Sequence, residues 1–225
     1  MKKISVSFLL LGILFCVCLV VSNFFETKLI QVGPLTLTAG LLVFPISYII
    51  NDCISVVWCF RKARFIIWVG FAVNFLVLLL GALAVALPSP DYWEGGESFN
   101  FVFGLAPRIT VASMAAFLVG SLLNAYVMSR MKLASDGRHF SLRAIVSSVI
   151  GECADSLVFF PIAFAGLMPL RELLTMMLLQ AVIKTLYEVV VLPLTAWAVR
   201  SIKKHEDTDV YDENVSYKFW RIFDI

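Results

Sequence analysis

Residues 147–164 read SSVIGECADSLVFFPIAF, a stretch apolar enough to lie in lipid that nevertheless carries Glu152 and Asp155. The two acids are three residues apart, so both carboxylates point to the same side of a helix. A carboxylate at the centre of a bilayer is costly unless it finds partners. The stretch therefore predicts a transmembrane helix with a functional site on one face.

The composition places the whole chain in the same class as this stretch. Of its 225 residues, 60% are hydrophobic and only 15% are charged, compared with about 25% charged residues in soluble domains. Several apolar runs exceed the roughly 18 residues that mark a membrane-spanning helix. We predict one polytopic membrane domain. No basic stripe with interleaved aromatic residues indicates direct binding of nucleic acid.

Six spans are predicted, which makes the fold an all-α bundle of six transmembrane helices. They cover residues 4–22, 37–60, 65–87, 107–131, 143–168 and 171–199, giving a transmembrane domain over 1–199 and a solvated polar tail over 200–225. Of the 18 basic residues, 14 lie at the N-terminus, in the second and fourth connections or in the tail. By the positive-inside rule, both termini are predicted to be cytoplasmic.

Several common classes of site are not expected. The first apolar run is too long for a signal-peptide core and has no A-x-A cleavage site, so we interpret it as a helix of the domain. The five cysteines form no CxxC pair and lie in or beside apolar runs, which is typical of small membrane hydrophobes. His139 and His205 fall in polar connections. We therefore expect no enzyme, metal site or cofactor.

Span two carries polar groups within an apolar helix. Residues 44–53 read FPISYIINDC, in which Tyr48, Asn51 and Asp52 are candidates. Pro45 removes a backbone donor and is expected to kink this helix, a feature that membranes tolerate where the freed carbonyl faces protein or a cavity. Asp52 is then either a site residue or a structural partner for a basic residue.

Spans four and six add hydrogen-bond donors. Arg108 and Asn124 lie at the two ends of a stripe of small residues that recurs every four positions, and small residues let helices approach closely in lipid. Lys184 and Glu188 are four residues apart in span six. They either contribute to a site or satisfy one another within the helix.

The buried charges do not balance. Lys184 is the base near mid-depth, and Arg108 lies nearer the outer end. The acids near mid-depth are Asp52, Glu152, Asp155 and Glu188. Such a group must be partly protonated, hydrated or faced by a ligand rich in donors. This favours a site for a proton or a donor-rich solute over a purely structural role.

Seven pieces of the sequence together resemble the queuosine precursor transporters, also called the vitamin uptake transporter (VUT) family. They span nearly the whole chain in order. The pieces are Asn23 with Lys28, FPISYIIND (44–52), ARFIIWVGF (63–71), PRI..AS…F..G…N (107–124), SS..GE..DS..FF.IAF (147–164), Lys184 with Pro193, and E..D.YD (206–212). The chain departs from the family where members often carry Glu and then Gly, because it has Val56 and Cys59 there.

The resemblance implies a multi-pass importer in the inner membrane for 7-cyano-7-deazaguanine and 7-aminomethyl-7-deazaguanine, which are salvaged into tRNA modification. It also implies a fold similar to the substrate-binding subunits of energy-coupling-factor transporters. A carboxylate can accept the ring N–H and the exocyclic amine of such a base together. The expected substrate-binding residues are Glu152, Asp155, Asp52, Asn51, Lys184, Arg108, Asn23 and Asn124, with Phe159 and Tyr48 as aromatic walls.

The sequence also allows functions other than that of a stand-alone carrier. The chain could be a binding subunit for a vitamin-like or purine-like solute that needs a separate ATP-driven module, but span one contains no alanine for an AxxxA docking face. An intramembrane protease using Asp52 and Asp155 lacks the expected GxGD pattern. A homo-oligomer is compatible with the sequence.

Overall fold

The computed structural model describes residues 5–25, 27–32, 35–90, 92–103, 107–166, 169–207, 210 and 217–221. At positions 29, 32, 35–38, 107–110, 164, 172 and 176 it describes the backbone alone. The chain is mostly helical, as predicted. The helices are α1 (Val6–Phe25), α2 (Phe44–Ala86), α3 (Gly96–Phe103), α4 (Pro107–Ala134), α5 (Phe140–Phe164) and α6 (Leu170–Glu206), and a 3-10 helix covers Ala39–Leu42.

Five of the helices in the described part of the chain are long and apolar enough to cross a membrane. Their outer faces expose large apolar side chains, such as Leu10 on α1 and Val190 on α6. Such faces would be unfavourable in water, whereas the fully hydrogen-bonded backbone of a helix is stable in lipid. The chain is therefore a multi-pass membrane protein.

Helix α2 is interrupted at Cys59, whose φ of 77° and ψ of 168° are not helical. The part before the break runs parallel to α4, because Asn51 donates to Asn124 at 3.2 Å while Val56 accepts from Lys132 at 2.6 Å further along both helices. The predicted boundary between the second and third spans thus lies inside one helical element rather than in a loop.

The part of α2 after the break runs parallel to α1. Gly70 lies against Phe15, and Asn74 accepts a hydrogen bond of 2.9 Å from Asn23. The other neighbouring helices run in opposite directions, so the two parts of α2 are antiparallel. The pairs that fix these directions are Phe15–Phe117 and Asn23–Ser113 for α1 and α4, Asn124–Ser148 and Gly120–Gly151 for α4 and α5, and Lys184–Asp155 and Glu188–Ser148 for α5 and α6.

The break exposes backbone carbonyls that an unbroken helix would satisfy internally. The Nζ atom of Lys132 donates to the carbonyl oxygens of both Val56 and Val210, each at 2.6 Å. The amide of Val210 in turn donates to the carbonyl oxygen of Val57 at 3.2 Å. A residue of the tail therefore closes the end of the first part of α2.

The tail also packs further along this end of the bundle. Arg64 donates to the carbonyl oxygen of Lys218 at 2.7 Å, and Trp68 donates to that of Phe219 at 3.0 Å. The rings of Tyr217 and Phe219 pack against the main apolar core. The expectation of a wholly solvated tail is wrong for these residues, because their aromatic side chains have an apolar surface to cover.

The connections at the opposite end of the bundle contain secondary structure that was not predicted from the sequence. A hairpin of β1 (Leu29–Val32) and β2 (Leu35–Thr38) pairs Leu29 with Thr38, so the chain is not entirely helical. The short helix α3 occupies the connection before α4. Pro45 lies in the first turn of α2, where its missing N–H costs nothing. It therefore starts the helix rather than kinking it.

Replacing Cys59 with glycine is expected to stabilise the protein by about 1 kcal/mol, because this backbone conformation strains a residue with a Cβ atom. The expected gain is the free energy of the relieved backbone strain minus the small free energy that burial of the thiol contributes. The measurement is the apparent unfolding free energy in detergent. The matched control is Cys18→Gly, also buried but inside α1, which should destabilise. Equal destabilisation by both variants would contradict the argument.

Candidate functional site

Carboxylates from three helices meet inside the bundle. Asp52 lies on α2, Glu152 and Asp155 lie on α5, and Glu188 lies on α6; all four side chains are buried. Because α5 lies between α4 and α6, the i to i+3 spacing of its two acids turns both toward its neighbours. The arrangement concentrates negative charge where water is largely excluded.

Lys184 on α6 supplies a positive charge to this cluster. Its Nζ atom lies 3.1 Å from Oε2 of Glu152 and 3.2 Å from Oδ2 of Asp155. The same ammonium sits 3.9 Å from the centroid of the Phe44 ring, a distance at which cation–π attraction adds to the ion pairs. One base thus bridges both acids of α5.

The side chain of Asn124 joins α2, α4 and α5. Its amide oxygen accepts from Asn51 at 3.2 Å, and its amide nitrogen donates to Ser148 at 3.4 Å. Asn124 also donates to Asp52, and Ser148 donates to Glu188. The two acids outside the Lys184 bridge are therefore held by one hydrogen-bonded chain.

Tyr48 lies beside a close contact between α4 and α5, at Gly120 and Gly151. A Cβ atom added to Gly151 would lie 2.9 Å from the Tyr48 ring and 3.0 Å from the backbone oxygen of Gly120. One added to Gly120 would collide with the Tyr48 hydroxyl. The two glycines thus leave the space that this ring occupies, and its hydroxyl interacts electrostatically with all four carboxylates.

The cluster contains polar atoms that the described protein does not satisfy. Its buried atoms without a hydrogen-bond partner in the described structure include the Tyr48 hydroxyl, Oδ1 of Asp52 and Oε1 of Glu188. Buried polar groups normally find partners because leaving them unpaired is costly. This set of carboxylate oxygens and hydroxyls is suited to a ligand that presents several N–H donors.

Seven of the expected binding residues come together in this cluster: Asp52, Asn51, Tyr48, Asn124, Glu152, Asp155 and Lys184. Asn23 lies elsewhere, in a chain with Asn74 and Ser113. Phe159 packs with a separate apolar group that includes Phe160. The side chain of Arg108 is outside the described residues.

The structure brings three residues into the cluster that the expected binding set did not include, although Glu188 was already expected as a buried acid near mid-depth. Phe44 covers Lys184 and packs on Tyr48 with a centroid distance of 5.4 Å. Ser148 and Glu188 belong to the hydrogen-bonded chain. Each of the three lies four residues from an expected residue, so helical spacing alone is a signal that could have identified them.

A family described as "Putative vitamin uptake transporter" matches residues 38–198 of this chain. That range contains every residue of the acid cluster. No solved structure matches the chain.

Three named proteins are similar to the chain. A "Probable queuosine precursor transporter" of Bacillus subtilis (strain 168) is 24% identical over 190 residues, which is 83% of this chain and 82% of that protein. A protein of Haemophilus influenzae with the same description is 32% identical over 127 residues, covering 56% and 52%. The "Queuosine precursor transporter" of Escherichia coli (strain K12) is 27% identical over 143 residues, covering 64% and 62%.

Proposed function

The chain belongs to the vitamin uptake transporter family, and on that basis we propose that it imports 7-deazaguanine precursors of queuosine across the inner membrane. Its relatives are named for queuosine precursors. The observation that carries the proposal is the buried cluster of four acids around Lys184, because a flat base rich in N–H donors can satisfy acceptors that the protein leaves open.

The 7-deazaguanine ring suits this cluster in its edges and its faces. Its ring N–H and exocyclic amine form a pair of donors that Glu152 or Asp155 accepts, while Lys184 or Asn51 donates to the ring carbonyl. Phe44 and Tyr48 lie at the cluster and provide aromatic surfaces for the ring faces. The substrates are 7-cyano-7-deazaguanine and 7-aminomethyl-7-deazaguanine.

The proposed topology has six crossings, with the break in α2 joining the second and third. Both termini are cytoplasmic in this arrangement. The antiparallel parts of α2 support it, as do Arg61, Lys62 and Arg64 directly after the break. Basic residues accumulate on the cytoplasmic side of membrane proteins, and Tyr217 and Phe219 would then cover the cytoplasmic end.

The function is tested in a host that cannot make the precursor, by measuring queuosine in tRNA after nanomolar 7-cyano-7-deazaguanine is supplied. The wild-type chain should restore queuosine and Asp155→Asn should not, because the variant loses a carboxylate that pairs with Lys184. The matched control is Glu97→Gln, an acid-to-amide change on the outer helix α3. Absence of restoration by a membrane-inserted wild type would contradict the proposal.

A further inference from the structure

The two halves of the acid cluster differ in how their charge is compensated. Glu152 and Asp155 share the ammonium of Lys184 at 3.1 and 3.2 Å. Asp52 and Glu188 instead interact with each other as like charges. Among the described groups around them, only Arg143 and Lys184 offer attraction.

Both of those bases have other close partners. Arg143 donates to the carbonyl oxygen of Gly137 at 3.1 Å and lies 6.0 Å from the Phe140 ring centroid, both at the start of α5. Lys184 is engaged by the two acids of α5 and by the Phe44 ring. Among the described residues, the Asp52–Glu188 pair therefore has no base as close as the one that Glu152 and Asp155 share.

The hydrogen-bonded chain fixes these two carboxylates and leaves one oxygen of each open. Asn124 donates to Asp52 and Ser148 donates to Glu188. Oδ1 of Asp52 and Oε1 of Glu188 have no partner in the described structure, although the two residues are only 2% and 7% exposed. The unpartnered hydroxyl of Tyr48 interacts with both. Three buried acceptors on mutually interacting residues thus remain open in the cluster.

We infer that Asp52, Glu188 and Tyr48 form a cation subsite for a primary ammonium group carried by the solute. An alkylammonium has three N–H donors, one for each of the three open acceptors. A bare Ca²⁺ ion would need six to eight oxygen ligands, which this set does not provide. The inference rests on the proposed function, because the rest of the cluster must hold the ring that carries the ammonium arm.

The subsite distinguishes the two proposed substrates. The aminomethyl arm of 7-aminomethyl-7-deazaguanine is a cation, whereas the nitrile of 7-cyano-7-deazaguanine is neutral and offers no donor. Charge-assisted hydrogen bonds are roughly twice as strong as neutral ones. We therefore expect the wild-type protein to bind the aminomethyl compound at least tenfold more tightly than the cyano compound.

The test measures binding of both compounds to purified protein in lipid nanodiscs, with Asp52→Asn and Glu188→Gln as variants. Each variant should lower the ratio of aminomethyl to cyano affinity at least tenfold, because an amide replaces an anionic acceptor while the side-chain shape is kept. Glu188→Asp keeps the charge and should retain the preference. An unchanged ratio in both amide variants overturns the inference.

A measurement on the wild type alone covers the case in which the variants do not fold. The 7-hydroxymethyl analogue replaces the ammonium by a neutral hydroxyl of similar size, and it should bind at least tenfold more weakly than the aminomethyl compound. Equal binding of these two overturns the cation subsite while leaving the proposed function intact. Binding of none of the 7-deazaguanines would instead count against the proposed function itself.

Discussion

Lys184→Met should abolish uptake and lower the apparent unfolding free energy by about 3–5 kcal/mol, the usual cost of leaving buried partner charges uncompensated. Lys184 bridges Glu152 and Asp155, which are both buried in the bundle. Methionine keeps much of the length and apolar surface of the lysine stem. The loss therefore reports on the charge, and it is measured by detergent melting and by uptake in proteoliposomes.

A triple variant separates the stability of the Lys184 bridge from its function. Combining Lys184→Met with Glu152→Gln and Asp155→Asn removes all three charges, so most of the lost stability should return. Uptake should stay absent, because the donor edge of the base then meets no carboxylate. Lys204→Met, at an exposed position near the end of the same helix, is the matched control. Near-normal uptake by the single Lys184 variant would refute this role.

Gly151→Ala should reduce uptake at least tenfold and cost about 1–3 kcal/mol of stability, the range typical of overpacking. The added methyl would lie 2.9 Å from the Tyr48 ring, 3.0 Å from Cβ of Asn124 and 3.0 Å from the backbone oxygen of Gly120. A backbone atom cannot rotate away, so α4 and α5 must separate and displace both site residues.

The control for Gly151→Ala is the same substitution at a glycine that has open space around it. A Cβ atom added to Gly96 would approach nothing more closely than the Trp93 ring at 3.8 Å. Gly96→Ala should therefore leave uptake and melting unchanged. Both variants should be compared at equal membrane expression. If Gly151→Ala transports as well as Gly96→Ala, then the contact between α4 and α5 does not position Tyr48.

The residues of the site could be predicted from the sequence where a charged side chain interrupts an apolar run. Glu152, Asp155 and Lys184 interrupt apolar runs, and the cost of charge in lipid makes such residues conspicuous in any reading of the sequence. Helical spacing then brings Ser148 and Glu188 to the same faces. Asn23 could not be separated from this group, because depth along α1 depends on how that helix packs against Asn74 and Ser113.

The parts that were not predictable depend on contacts between distant segments. Cysteine rarely adopts a positive φ, so the only hint of the break was the departure at Cys59 from the glycine that the family resemblance implies. The packing of Tyr217 and Phe219 is hidden by polar neighbours in the tail. Phe44 covers Lys184 only because Pro45 starts a helix there instead of bending one.

The closure of the α2 break by Val210 also orders events during synthesis. Val57 leaves the ribosome more than a hundred residues before its partner Val210 does, and N-terminal parts of a chain begin to fold while translation continues. Until Val210 is synthesised, the carbonyl of Val57 therefore lacks this partner. A nascent chain stalled before Val210 would therefore present a first part of α2 whose end is not yet closed.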